Sequence, residues 1–301
     1  MKNLSLRKHR AFAKTTEDYV VETLVWSVMI VFSITVIYPF WKIFVDSIST
    51  PLEVYRMGLK IWPREITLDA YSTVFSNNTI GVAYFNTIIR TVAGTAITLM
   101  VSFCAAFALS KRSLPGNKVI TLLMIFTMFF SGGIIATYLW MKELGLHNNR
   151  LALILPPAAS AFYIIILRNF FRAIPPDLEE SARMDGASVY RILLSIVVPI
   201  SMPVIATVGL WSIVFHWNSW FDALIYNARP HLLVLQLMLR RILVENQSST
   251  LFELEIDTEA TFVGETIVAA TLFVSIGPII LIYPFIQKYF VKGIMTGSLK
   301  G

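Results

Sequence analysis

Cysteine is almost absent from this sequence. Cys104 is the single one in 301 residues, which excludes a disulfide-stapled scaffold because it has no intrachain partner. Charge is also scarce: Asp, Glu, Lys and Arg supply 15% of the chain, against ~25% in average soluble domains. Intrinsic disorder, which needs many charges and few hydrophobes, is excluded with it. The dipeptide Gly-Lys never occurs, so there is no Walker A loop and no ATP hydrolysis by that route. The His-Glu-x-x-His metal helix and the Gly-x-Ser-x-Gly nucleophile elbow are missing too. The four histidines, His9, His147, His216 and His231, are scattered along the chain. His216 and His231 share one segment, but read as ordinary solvated or interfacial side chains rather than as metal ligands. Nothing in this inventory argues for an enzyme.

Apolar residues fill the space that charge leaves. They make up 56% of the chain, with a mean hydropathy of +0.67. A bilayer core of ~30 Å asks for about 20 mostly apolar residues per helix. Six stretches meet that demand, at roughly 20–44, 82–109, 119–140, 151–171, 190–215 and 264–286. The expected fold is an all-α integral membrane protein of six transmembrane helices. The basic leader Lys2, Arg7, Lys8, Arg10 and Lys14 ahead of the first run resembles a signal peptide. That run is too long for a signal core, and Trp41-Lys42-Ile43-Phe44-Val45-Asp46 holds no small-x-small cleavage site, so it reads as a retained helix.

Lys and Arg in the loops set the orientation. With a cytoplasmic N-terminus, fifteen of them fall inside and eight outside, which places both termini inside. The expected partition is a cytoplasmic tail over 1–19, a six-helix transmembrane body over 20–286 and a second cytoplasmic tail over 287–301. The net charge of +6 follows from this bias and needs no nucleic-acid partner. Two outer segments are long, 46–81 and about 216–263. Within the second, 232–239 is apolar but too short to span, and reads as a helix on the membrane surface or against the bundle. No internal repeat supports an inverted-repeat carrier.

The most informative stretch is 168–203, between the fourth and fifth spans. Pro175-Pro176 ends the fourth helix. Asp177 then stands as a cap, with Glu180 three residues on as its capping-box partner. Glu179 and Arg183 are spaced as a favourable i,i+4 pair. Gly186 can take a positive φ and close the helix, and Ser188 can cap the fifth span. The result is a short, stiff helix at about 177–187, held across the membrane surface. Local physics leaves two readings open, a mere connector or an element that transmits a push from a soluble partner.

The run Glu179-Glu180-Ser181-Ala182-Arg183-Met184-Asp185-Gly186-Ala187 resembles the E-A-A-x(3)-G loop of ABC importer permeases. It departs from the family pattern E-E-A-A-x-x-D-G-A by Ser181 for the first alanine. The likeness extends to Phe130-Ser131-Gly132-Gly133, Leu167-Arg168-Asn169-Phe170-Phe171, His216-Trp217-Asn218-Ser219-Trp220-Phe221-Asp222-Ala223 and the tail 283–293. These look like the carbohydrate-uptake permeases, and most like the branch serving pectin- or alginate-derived chains. The resemblance implies a type I permease in the cytoplasmic (inner) membrane that works by alternating access. Its partners would be a second permease, two cytoplasmic ATPase subunits and an extracytoplasmic solute-binding protein, with an oligosaccharide as cargo. This chain would then need no cofactor, ATP and Mg residing on the ATPases.

Carried over by motif position, Glu179, Glu180, Arg183, Asp185, Gly186 and Ala187 are the ATPase-coupling candidates. Glu180 is the better partner for a basic ATPase residue if Arg183 occupies Glu179, although capping alone would also explain it. Pro199 and Pro203 permit a kink in the fifth span, which either lines the pathway or is a static bend. Trp217, Asn218, Trp220 and Asp222, with Phe221 and Tyr226, have the chemistry of a sugar site and also the composition of an interfacial belt. Arg90 and Asn86, near the outer end of the second span, are either functional or snorkel to the interface. Glu253, Glu255, Asp257 and Glu259 alternate along an outer segment and read as a solvated edge rather than a calcium site. The competing class is a self-contained six-helix channel or secondary carrier, which should show coupling charges at mid-membrane.

Overall fold

The computed structural model describes residues 16–56, 58–76, 78–252 and 264–281. Its helices in chain order are α1 (Thr16–Ser47), α2 (Pro51–Val54), α3 (Asp69–Ser76), α4 (Asn78–Ser110), α5 (Asn117–Phe129), α6 (Gly133–Glu143), α7 (Ala161–Arg172), α8 (Pro176–Met184), α9 (Val189–Ile192), α10 (Val198–Asn218), α11 (Phe221–Tyr226), α12 (Leu235–Phe252) and α13 (Gly264–Leu281). Among the described residues, strand pairing is confined to one isolated bridge between Ser49 and Ile66. Four helices are long and apolar enough to cross a membrane unaided: α1, α4, the continuous 189–218 helix and α13. The count reaches six when each of two bent pairs is taken as one span.

Those two pairs correct the sequence reading. The stretch 119–140 is not one helix, because α5 and α6 meet at 111°. Phe130 is extended there, and Gly133 takes a φ of +80°, a conformation open to glycine because it lacks a Cβ. Hydropathy averages over this break without registering it. The stretch 151–171 is likewise divided. Two 3-10 turns, Arg150–Leu153 and Pro156–Ala158, precede α7 and meet it at 42°. Pro156 and Pro157 supply no N–H and crowd the preceding turn, so an α-helix cannot run through them. Ser160 then starts α7 afresh, its hydroxyl accepting from the Tyr163 N–H. The end of the sixth predicted span, at 282–286, lies outside the described residues, as do the tail 283–293 and the acidic run Glu253–Glu259.

Helix α1 is apolar on every side and is buried only at Val45, Asp46 and Ser47, as expected of a helix whose solvent is lipid. The centre of the fold is α4, which packs against both α7 and α10. Its buried face carries Asn86, Thr87, Arg90, Thr91, Gly94, Thr95, Thr98 and Ser102, repeating at the three- and four-residue spacing of one helical stripe. Ser201, Gly209, Ser212 and His216 are the small or polar residues of α10 at or near this contact. Small side chains let helix backbones approach closely where lipid removes the usual hydrophobic drive. Apolar clusters close the two ends. One gathers Val74, Ala83, Leu153, Tyr226, Leu237 and Met238. The other, beside α8, gathers Phe107, Leu167, Phe171, Ile192, Val197 and Val208.

Of its two readings, the apolar stretch 232–239 takes the second and packs against the bundle. Leu232, Leu233, Val234, Leu235, Leu237, Met238 and Leu239 are all buried, pinned to the start of α4. Asn86 donates to the carbonyls of His231 (2.8 Å) and Leu233 (2.9 Å), and the Leu235 N–H donates to Thr87 Oγ1 (2.9 Å).

Candidate functional site

The element that the sequence singled out is a nine-residue helix, α8, and its ends are built differently from expectation. Pro175 occupies the N-cap position with ψ 131°, and Pro176 is the first helical residue, where its missing N–H costs nothing. The helix thus begins earlier than a cap at Asp177 would place it. Glu180 falls on the fifth helical residue rather than the third, out of reach of a capping box. Neither Asp177 nor Glu180 caps the helix. The far end follows the sequence closely: Gly186 has φ +78°, and its N–H and that of Ala187 donate to the carbonyls of Arg183 (3.0 Å) and Ala182 (2.9 Å). Ser188 accepts from the Arg191 N–H and starts α9.

Two faces result. Ala182 and Ala187 pack on the cluster around Phe107 and Leu167. Leu178 (44% exposed), Met184 (89% exposed) and the charged residues Glu180, Arg183 and Asp185 are exposed around the rest of the helix. Those three charged groups form no hydrogen bond or ion pair with any described residue. Glu179 does not pair with Arg183, as i,i+4 spacing suggested. It turns inward and forms an ion pair with Lys111, which follows directly on α4. That partner is 68 residues away in sequence and left no signal that local spacing could reveal. The partly shielded site gives a stronger attraction than two exposed side chains on one helix face.

The open turn at Gly186 yields a sharp expectation. A Cβ there would meet no atom within 4 Å, so the whole cost of substitution is backbone strain, ~1–2 kcal/mol for an ordinary residue and more for a β-branched one. Gly186→Val should insert in the membrane yet lose transport, whereas Gly186→Asn, which tolerates a left-handed backbone, should stay close to wild type. Uptake normalised to membrane content is the measurement.

At the opposite end, the predicted aromatic constellation is dispersed. Trp217 is 4% exposed, its ring edge-on to Tyr84 and its Nε1 donating to the Ser275 carbonyl at 3.3 Å. It presents a face neither to solvent nor to an interfacial belt. Trp220 lies under the Arg240 guanidinium, 3.7 Å from its ring centroid. Asn218 returns its amide to the Val214 carbonyl at 2.9 Å. Tyr226 stacks on Tyr138, and burial beside the Asp222 carboxylate raises its pKa. Asp222 is committed to Arg90, whose Nη1 donates to Asp222 Oδ1 (3.1 Å) and to the Ser219 carbonyl (3.0 Å). Arg90 is 2% exposed, so it does not snorkel. It clamps α11 to α4 through Asp222 and the Ser219 carbonyl. Pro203 lies inside α10, and Pro199 follows a π-helical turn at Leu193–Val197. No group of three or more metal-ligating side chains occurs among the described residues.

The family model for binding-protein-dependent transport system inner membrane components matches residues 79–296. The chain belongs to that family. It is similar to the polygalacturonan/rhamnogalacturonan transport system permease protein YtcP of Bacillus subtilis. The two are 38% identical over 280 residues, covering 93% of this chain and 98% of that protein. Protein LplC of the same bacterium is 41% identical over 267 residues, covering 88% and 90%. Among solved structures, a chain of a bacterial ABC transporter that imports the acidic polysaccharide alginate superposes with a TM-score of 0.84. It has 32% identity and covers 92% of this chain and 99% of that one. The chain is thus an ABC importer permease of the type I fold, embedded in a membrane through several apolar helices. A self-contained channel or carrier is set aside.

Proposed function

We propose that this permease forms one half of the translocation pathway of an importer for acidic oligosaccharides, and that α8 couples it to a cytoplasmic ATPase. The observation that carries the coupling role is α8 itself. It is a rigid helix fixed by proline at one end and a left-handed glycine at the other, seated on the core through Ala182 and Ala187. Its exposed surface offers apolar Met184 one turn from the carboxylate of Glu180, which has no ionic partner among the described residues, with Leu178 on the flank next to Ala182. A groove with an apolar floor and a basic rim is the complement of such a face. The substrate class is supported by the relatives, named for polygalacturonan and for alginate, both polymers of uronic acids.

On this reading the partners are a second permease, two ATPase subunits that hold ATP and Mg, and an extracytoplasmic binding protein that delivers the sugar. The tails 1–19 and 287–301 and helix α8 lie on the cytoplasmic side, in keeping with the excess of Lys and Arg there. The long outer segment from 216 onward faces the binding protein.

The test is ATP hydrolysis by the reconstituted complex, supplied with binding protein loaded with uronate or neutral oligosaccharides. Uronate oligomers should stimulate and neutral ones should not. Because Glu180 has no capping duty, Glu180→Gln changes charge while keeping shape. Losing one side of a desolvated charge pair costs ~2–5 kcal/mol, so Gln should weaken ATPase association and Glu180→Lys should weaken it further. Association at wild-type strength in Glu180→Lys would remove the carboxylate from the docking surface.

A further inference from the structure

Glu179 and Glu180 are neighbours in sequence with opposite fates. Glu180 is exposed and has no ion pair among the described residues, whereas Glu179 is 18% exposed and ion-paired to Lys111, itself 26% exposed. The ammonium of Lys111 stands 4.2 Å above the Phe107 ring, so its stem is laid along α4 and the charge is held in place before Glu179 arrives. The backbone carrying Lys111 is rigid as well. Asn117 donates to the carbonyls of Leu109 (2.9 Å) and Lys111 (2.8 Å). Arg168 and Arg172, one turn apart on α7, both donate to the Leu109 carbonyl, at 3.0 and 3.2 Å, and to Asn117 Oδ1, at 3.1 and 3.2 Å. The turn after α4 is therefore locked onto α7. Between that turn and α8 lies a cavity of about 510 Å³ whose lining includes Arg112, Arg183, Glu180 and the Lys111–Glu179 pair.

We propose that Lys111 is a positioning residue of the coupling apparatus. Through Glu179 it ties α8 to the end of α4, so that a displacement of α8 reaches the central span directly. Without this tie α8 would act on the bundle through its two covalent neighbours, α7 and the 189–218 helix, and through the light packing of Ala182 and Ala187. The pair also occupies the Glu179 carboxylate and leaves that of Glu180 without an ionic partner among the described residues. This inference rests on reading α8 as the ATPase-docking helix, and it assigns a role to a residue outside the E-E-S-A-R-M-D-G-A loop.

The experiment compares Lys111→Met, Glu179→Gln, the double variant, Lys111→Arg and Glu180→Lys in the reconstituted complex. It reads the amount of ATPase retained and the ratio of binding-protein-stimulated to unstimulated hydrolysis. Lys111→Met should retain its ATPase, since Glu180 is untouched, while the stimulation ratio falls about five-fold, the lower end of typical inter-site coupling. Glu179→Gln should fall by the same factor, the double variant no further, and Lys111→Arg should recover most of the ratio. A purely structural lysine would lower complex yield without moving the ratio. An unaltered ratio in Lys111→Met, or additive losses in the double variant, would overturn the tie. Should Lys111→Met fail to insert, Glu179→Gln alone decides, on the same ratio. The docking reading fails separately: Glu180→Lys would then keep both its ATPase and its stimulation.

Discussion

Replacement of Arg90 with methionine is expected to be the most damaging single change in the described fold. The guanidinium is 2% exposed and holds the Asp222 carboxylate and the Ser219 carbonyl, so the substitution strands a buried acceptor and an unpaired charge together. Breaking a buried ion pair from one side costs ~3–5 kcal/mol, and the lower figure is expected because Asp222 keeps some solvent contact. The loss should appear as a fall in thermal unfolding temperature of the purified permease and as a poorly assembled 216–239 segment. Arg90→Met combined with Asp222→Leu removes both charges and should be more stable than Arg90→Met alone. Equal stability of wild type and Arg90→Met would mean that the pair contributes nothing.

Gly94→Ala is expected to come second, for a steric reason. A Cβ at Gly94 would sit 2.5 Å from Cε1 and Nε2 of His216 and 2.9 Å from its Cδ2, well inside contact distance. His216 is 1% exposed and lies between helices, and an imidazole has no flexible end to swing away. Overpacking of this kind costs ~1–3 kcal/mol, and here it also pries α4 from α10 at the centre of the bundle. His216→Ala in the same chain vacates the contested space, so the double variant should melt above Gly94→Ala. If it does not, the ring is not what the new methyl group meets.

Hydropathy located α1, α4, the fifth span and the start of the sixth, because long apolar runs report directly on lipid as solvent. It failed where the backbone turns inside an apolar run. Phe130–Gly133 and Pro156-Pro157 break two helices without changing how greasy the chain is. Gly186 and Ser188 were legible because their roles are fixed by backbone conformation and by one N–H three residues away. Asp177 and Glu180 were misread by a shift of two residues, since Pro176 is itself a good first helical residue and started the helix early. Arg90–Asp222 and Lys111–Glu179 join residues 132 and 68 apart, so no rule of local spacing could match them. The aromatic run from Trp217 to Tyr226 suggested a surface by composition. Three of its rings are instead engaged within the fold, Trp217 by Tyr84 and Ser275, Trp220 by Arg240 and Tyr226 by Tyr138, while Phe221 stays 45% exposed.

The π-helical turn at Leu193–Val197 governs the phase of the fifth span. The Val198 N–H donates to the Leu193 carbonyl, five residues back, so this turn holds one residue more than an α-turn would. Pro199, which follows at once, lacks an N–H and crowds the carbonyl four residues before it, a reason for the helix to widen there. One extra residue corresponds to an angular step of about 100° around the axis. Every side chain from Ser188 to Ile192 therefore points in a direction that an unbroken α-helix would not give it, and α8, attached through Ala187, takes its azimuth from the same offset. The length of this segment is consequently not free. Loss of a single residue between 193 and 197 would let the turn close as α-helix and rotate the α8 end about the span, carrying Ala187 off the core on which it rests.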